Sequence, residues 1–261
     1  MSKTRIRSTA LALVLTMFAV GAVVAHAEIV QKAGVRVTFK GDLTPNRLPR
    51  TSLAPVNVAV AAKITPLGDS EPQLRTMSIA INSNGVIDTE GLPVCQLDDI
   101  QPATTADALA VCRKSLVGEG TFNANVPKSG RSPYPAEGKL YAFNGEIDGK
   151  PAILAHVYGV RPAPTSFTLD FLLTRTKGTF GTKLEVKLPK VTGEGFITGI
   201  SLDLQKSFTF KGKKHSFASA SCPAPKGVKV AGFPFAKAAF AFADGTKVSS
   251  TLSRSCKVRG K

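Results

Sequence analysis

Apolar and polar residues alternate along most of this chain. Val35, Val37 and Phe39 fall on one side of a two-residue repeat, with Arg36, Thr38 and Lys40 on the other. Val56, Val58 and Val60 repeat the pattern, and Met77, Ile79 and Ile81 do so before the turn sequence Asn82-Ser83-Asn84-Gly85. Phe122, Ala124 and Val126 oppose Thr121, Asn123 and Asn125. Further stripes are Phe167, Leu169, Phe171 and Leu173, then Leu184, Val186 and Leu188, then Ile200, Leu202 and Leu204. A period of two is the mark of a strand with one buried face. Residues 138–148 and 151–160 read as a hairpin turning at Asp148-Gly149. Both arms are apolar on both faces in places, which predicts central strands. Ser207–Phe210 and His215–Cys222 flank a turn at Lys211–Lys214. The segment from Phe233 to Phe242 turns at Asp244-Gly245 into a strand with Val248, Leu252, Cys256 and Val258 on one face. Arg254 interrupts that face and is expected at its rim.

A dozen or so such strands, joined by Gly-, Pro- and Asp-rich turns and almost free of helical periodicity, predict an all-β fold. An antiparallel β-sandwich buries one-sided strands without helices and is the leading architecture. A closed β-barrel is the alternative, because period two does not distinguish the two. Arg161-Pro162-Ala163-Pro164 reads as an inter-strand loop, and no internal repeat is visible. Residues 28–261 are therefore taken as a single β-rich domain.

One stretch departs from the pattern. Between Cys95 and Cys112 lies a short helix signal beginning at Thr104, whose side chain suits the N-cap position, with Asp107 three residues on. Arg113 and Lys114 suit the negative end of that helix. Leu109 and Cys112 are spaced to share an inward face. A helix this short is marginal alone, so a bond between Cys112 and Cys95 is expected to hold it down as scaffold. Calcium binding through Asp98 and Asp99 is disfavoured, since calcium takes six to eight oxygen ligands. Zinc finds neither the spacing nor a nearby histidine, and no metal or other cofactor is expected.

The N-terminus supplies the setting. Residues 1–27 carry Lys3, Arg5 and Arg7, then a long apolar run, then Ala25-His26-Ala27, a small-x-small cleavage site. They read as a signal peptide. No later segment is long and apolar enough to span a bilayer, so a secreted or cell-surface location is expected. The four cysteines of an exported chain predict two disulfides, and proximity favours Cys95–Cys112 and Cys222–Cys256. Cleavage would lower the net charge from +16 to about +13.

Candidate chemistry is sparse. His156 and His215 are the histidines left after cleavage. His156 lies inside an apolar strand and is a weak candidate general base, with Asp170 as an orienting carboxylate. No nucleophile elbow, zinc-protease helix or phosphate loop is present, so a non-enzymatic role is favoured over an exported hydrolase. Lys206, Lys211, Lys213, Lys214 and His215 cluster around one hairpin. They are candidate ligand-binding residues for an anionic envelope polymer or glycan. Lys183, Lys187 and Lys190 mark a second basic strand. Export and the absence of a Trp/Tyr stacking series argue against nucleic acid.

The run from Leu92 to Cys112, together with Ala152–Gly159, Phe180-Gly181-Thr182 and Ser221–Pro225, resembles a group of uncharacterised exported proteins from actinobacteria. The resemblance implies one integrated exported domain and carries no activity or ligand. The reading is thus a secreted, envelope-associated binding or structural protein, with a hydrolase or a small apolar ligand carrier as alternatives.

Overall fold

The computed structural model describes residues 27–128, 131–159, 164–188 and 195–259. The leader, Arg161-Pro162-Ala163 and Lys190 lie outside the described residues. In chain order the strands are β1 (Glu28–Lys32), β2 (Val35–Thr44), β3 (Arg47–Leu48), β4 (Ala54–Pro55), β5 (Asn57–Pro66), β6 (Leu74–Asn82) and β7 (Gly85–Ile87). Helices α1 (Leu97–Ile100) and α2 (Thr105–Cys112) follow. Then come β8 (Leu116–Lys128), β9 (Arg131–Ile147), β10 (Lys150–Gly159), β11 (Thr165–Arg175), β12 (Phe180–Lys187) and β13 (Phe196–Leu204). The chain continues with β14 (Ser207–Phe210), β15 (Lys213–Ser216), β16 (Ala218–Ala220), β17 (Val230–Phe242) and β18 (Lys247–Val258).

The fold is all-β and mostly antiparallel. Thirteen strands form one sheet in the order β1-β2-β5-β13-β8-β9-β10-β11-β12-β6-β17-β18-β3. Among the described strands of this sheet, only β3 runs parallel to its neighbour. The sheet curls into an open half-barrel, so the two facing walls expected of a sandwich are flanks of one continuous sheet. β1 and β2 at one end pack against β17 and β18 near the other. The flanks meet at a glycine: a Cβ on Gly41 would lie 3.1 Å from Phe235 and 3.2 Å from Leu252. Arg254 is not at a rim. It is buried at this seam, where its Nε donates to the Gly41 carbonyl at 2.7 Å. A charge is tolerated there because it stays hydrogen-bonded.

β10 occupies the middle of the order, as its two-sided apolar character predicts, and every residue from Ala152 to Val157 is buried. Ile153, Ala155 and Val157 join the main core inside the curl. Ala152 and Leu154 face the other way and pack with Phe143, Ile100, Ala108 and the Cys95–Cys112 pair. Covering both faces removes each large apolar side chain from water, worth roughly 1.5–3 kcal/mol apiece. The Asp148-Gly149 turn has positive φ at both positions, 50° and 72°, as a two-residue hairpin of matching twist requires.

The outer cover is the disulfide-bonded insertion. Thr104 caps α2, accepting from the Asp107 backbone N–H at 3.2 Å. The fully buried helical pair is Ala108 with Cys112, one turn apart, while Leu109 sits half-buried beside them. α1 is a second short helix that the amphipathic pattern is too brief to announce. The disulfides join Cys95 to Cys112 and Cys222 to Cys256.

The region after β13 also differs from the expectation. The arm predicted as one strand from His215 to Cys222 divides at Phe217. β15 pairs with β14, whereas β16 pairs with β4 and β7 in a separate three-stranded sheet. Phe217 is fully buried. Its N–H bonds the Lys206 carbonyl and its carbonyl accepts from Asp88, so the backbone satisfies itself away from the ladder.

Candidate functional site

The concave side of the half-barrel holds an apolar cavity of about 70 Å³. One wall is the β5–β13 ladder, in which Val60 opposes Leu202 and Ala62 opposes Ile200. The other wall comes from β6 and β17 and includes Ile79, Ile81 and Phe235. The small sheet contributes Val86 and Ala220. Among the described residues, no Lys, Arg, His, Asp or Glu lines it. The polar groups at its Asn82 end bond one another: Asn82 donates to the Pro234 carbonyl at 2.8 Å and accepts from the Asn84 backbone N–H at 2.9 Å.

Several inward-pointing apolar side chains on these walls stay partly exposed. Val58, Val60, Ile79, Ile81, Ile200 and Leu202 are all half-buried although they pack against the main core. Ordinary sheet interiors hide such residues completely. Here the walls are held apart and the apolar stripe between them remains accessible. The alternation in the sequence marks these positions, but it marks core positions equally, so it does not single them out as a site.

His156 is placed on the opposite, outer side of β10. It is fully buried beneath α1, and both ring nitrogens lack a hydrogen bond of normal geometry. Burial lowers its pKa, and the nearby Ile100 backbone pulls the other way without reversing the shift. Asp170 shares that outer face, one pair removed on β11: Thr168 opposes His156 and Asp170 opposes Leu154. The two candidate catalytic groups are thus diagonal neighbours, with His156 sealed from solvent and outside the cavity. Cys95, Asp99 and Cys112 approach one another closely enough for a metal ion. Both sulfurs are committed to the disulfide, however, and a thiolate is the ligand form. Asp99 instead accepts from the Gln96 backbone N–H at 3.2 Å, closing the capping box at the start of α1.

The basic residues of the hairpin β14–β15 fall on both of its faces. Lys213 and His215 lie with Phe210 and Phe208 in the pairing register, while Lys214 lies with Thr209 on the other side. His215 stacks on Phe208 and contacts Asp88 at 3.2 Å, and Lys211 lies 4.7 Å from the centre of the Phe210 ring and 3.7 Å from Glu90. Phe210 packs so tightly on Gly91 that a Cβ there would fall 2.2 Å from the ring. The hairpin is therefore docked on the 88–91 segment, where His215 and Lys211 each face a carboxylate. Lys183 on the second basic strand pairs with Glu185.

The chain was compared with family models, with curated proteins and with solved structures, and nothing matched in any of the three.

Proposed function

We propose that this protein binds a slender, uncharged apolar chain in the groove of its curled sheet, as an exported carrier that exchanges its cargo at the cell envelope. The observation that carries the reading is a cavity with no charged lining residue among the described residues, bordered by apolar side chains that remain half-exposed. Ligand sites are concave and mostly apolar, and accessible apolar surface of this kind marks a contact waiting to be made. The volume speaks to the shape of the occupant. An apolar cavity of about 150 Å³ stays dry and accepts a benzene ring; this one is about half that and extends between walls drawn from many strands. A narrow alkyl chain fits such a slit better than a ring system does. The absence of a lining charge leaves no partner for an ionised group inside the groove.

The test is titration of the mature chain with a fluorescent polyene hydrocarbon, alongside Val60→Phe. Val60 is half-buried and faces Leu202 across the wall, so the added ring enters the groove without displacing packed core. Saturable binding that weakens at least tenfold in Val60→Phe, with an unchanged or higher melting temperature, is the expected result. Absence of saturable binding, or equal affinity in the variant, refutes the reading.

A further inference from the structure

Three segments far apart in sequence meet at the end of the sheet where β3, β17 and β18 run together. They are residues 46–55, 222–230 and 254–259, and none contains an acidic residue. Backbone bonds tie them to one another. Lys257 N–H donates to the Asn46 carbonyl at 2.8 Å, Val258 to Lys229 at 2.8 Å, Arg259 to Leu48 at 2.7 Å and Cys222 to Pro49 at 2.8 Å. The Cys222–Cys256 disulfide bridges two of the segments. Arg50 reaches across from the third, donating to the carbonyls of Ala224, Pro225 and Val228.

This framework gathers Arg47, Arg50, Lys226, Lys229, Lys257 and Arg259. Among the described residues, no carboxylate forms an ion pair with any of them. Large apolar side chains stand out of the same framework: Val230 is 52% exposed, Leu53 51% and Val228 40%. Val230 lies directly opposite Lys257, which in turn lies opposite Arg47. An apolar residue and two cations therefore stand side by side across three adjacent strands. A solubilising surface needs the charges but has no use for protruding valines. A polyanion-binding surface has no use for them either. Cations that meet phosphate head groups, with apolar tips that enter the layer beneath, describe an interface with an anionic bilayer.

We infer that this surface docks the protein on anionic lipid membranes. It borders the groove: Ser221 and Phe233, which line the cavity, flank the segment from Cys222 to Val230. A membrane seated there would lie at one end of the apolar slit. The inference stands whether or not the groove is occupied, because it rests on charge and exposure at the strand ends.

The experiment is co-sedimentation of the mature chain with large unilamellar vesicles of phosphatidylcholine alone, or of phosphatidylcholine with phosphatidylglycerol. Binding is expected on the phosphatidylglycerol vesicles, is expected to be weak on the neutral ones, and should fall in high salt. Each cation near an anionic surface is worth about fivefold in partitioning, so Lys226→Gln with Lys229→Gln should lower it roughly 30-fold. Val228→Ser with Val230→Ser should lower it several-fold. Lys114→Gln with Lys150→Gln removes the same charge elsewhere and should change it little. All six positions are exposed, so folding is not at stake. No binding, equal binding to neutral vesicles, or equal loss in the distant pair overturns the inference. So does full retention in the valine variant with tight binding to dextran sulfate, which would mark a polyanion surface instead. Val60→Phe should leave vesicle binding intact, so failure of the groove reading and failure of this one are separable.

Discussion

Replacing Cys95 and Cys112 together by alanine tests how the outer core is held. The bond closes a sequence separation of 17 residues. In the chain-entropy treatment, a loop of that length restrains the unfolded chain by about 3 kcal/mol. For a domain of this size that corresponds to a fall in melting temperature of roughly 6–12 °C. The effect should also be local. α2 has eight residues and α1 four, too few to persist unaided. What remains to hold them is Ile100 and Ala108 packed on Phe143 and Leu154, together with a few bonds. Cys95 N–H to the Asn144 carbonyl at 2.9 Å and Thr168 N–H to Gln101 Oε1 at 2.8 Å are among them. His156 lies under this cover and reports on it. Burial holds its pKa below the ordinary 6.5, and lifting α1 should let it return toward that value. Urea and thermal melting give the global term, and the imidazole C2 proton followed by NMR against pH gives the local one. A loss under about 1 kcal/mol, with the His156 titration unmoved, would refute the reasoning and show that packing alone docks the insertion.

Two further outcomes follow from named contacts. The unfolded chain binds a proton at His156 near pH 6.5, whereas the buried ring resists it. Stability should therefore be complete above that pH and decline as pH falls below it toward the lowered folded-state value. The difference in urea midpoint between wild type and His156→Leu, measured at neutral and mildly acidic pH, isolates this contribution, and a difference independent of pH would exclude it. Gly120→Ala would place a Cβ 1.9 Å from the Ser201 carbonyl oxygen and 2.7 Å from its carbon. Backbone on β13 would have to move by roughly 1 Å, breaking the 3.0 Å bond from Thr121 N–H to Ser201 Oγ. A destabilisation near 3 kcal/mol or more is expected by denaturation, and near-neutral behaviour would mean the strands are not held that close.

Strand positions were legible wherever one face is buried, because alternation records inside and outside directly. Val35, Val37 and Phe39 are each almost fully buried as the stripe predicts. The hairpin of β9 and β10 could even be assigned to the sheet centre, since only a strand covered on both sides can be apolar on both. Curvature was not legible. A period of two is the same in a flat wall, a closed barrel and an open half-barrel. The division at Phe217 was hidden because its cause lies in contacts with Lys206 and Asp88, one of them more than a hundred residues away. The basic hairpin could be read because its cations are neighbours in sequence. The cation cluster at the β3–β17–β18 end could not, because its three segments meet only through strand pairing. The groove was invisible for a subtler reason: Val60 and Leu202 look like any core pair until the distance to the facing wall is known.

That distance decides what the groove could hold. Near the seam, Phe39, Phe233 and Phe235 bring the flanks together and are buried. Away from it, the walls carry Val58, Val60, Ile79, Ile81 and Ile200, which do not reach far enough to close the gap. Holding the apolar walls apart across a space of about 70 Å³ forgoes the contacts they would make with each other. Larger apolar side chains on either wall would close the gap. Both disulfides lie off the groove walls, one beneath the outer helices and one at the strand ends. The scaffold is thus cross-linked away from the groove, and its concave face is left underpacked. An apolar chain entering the slit would recover the dispersion contacts that the facing walls do not make with each other.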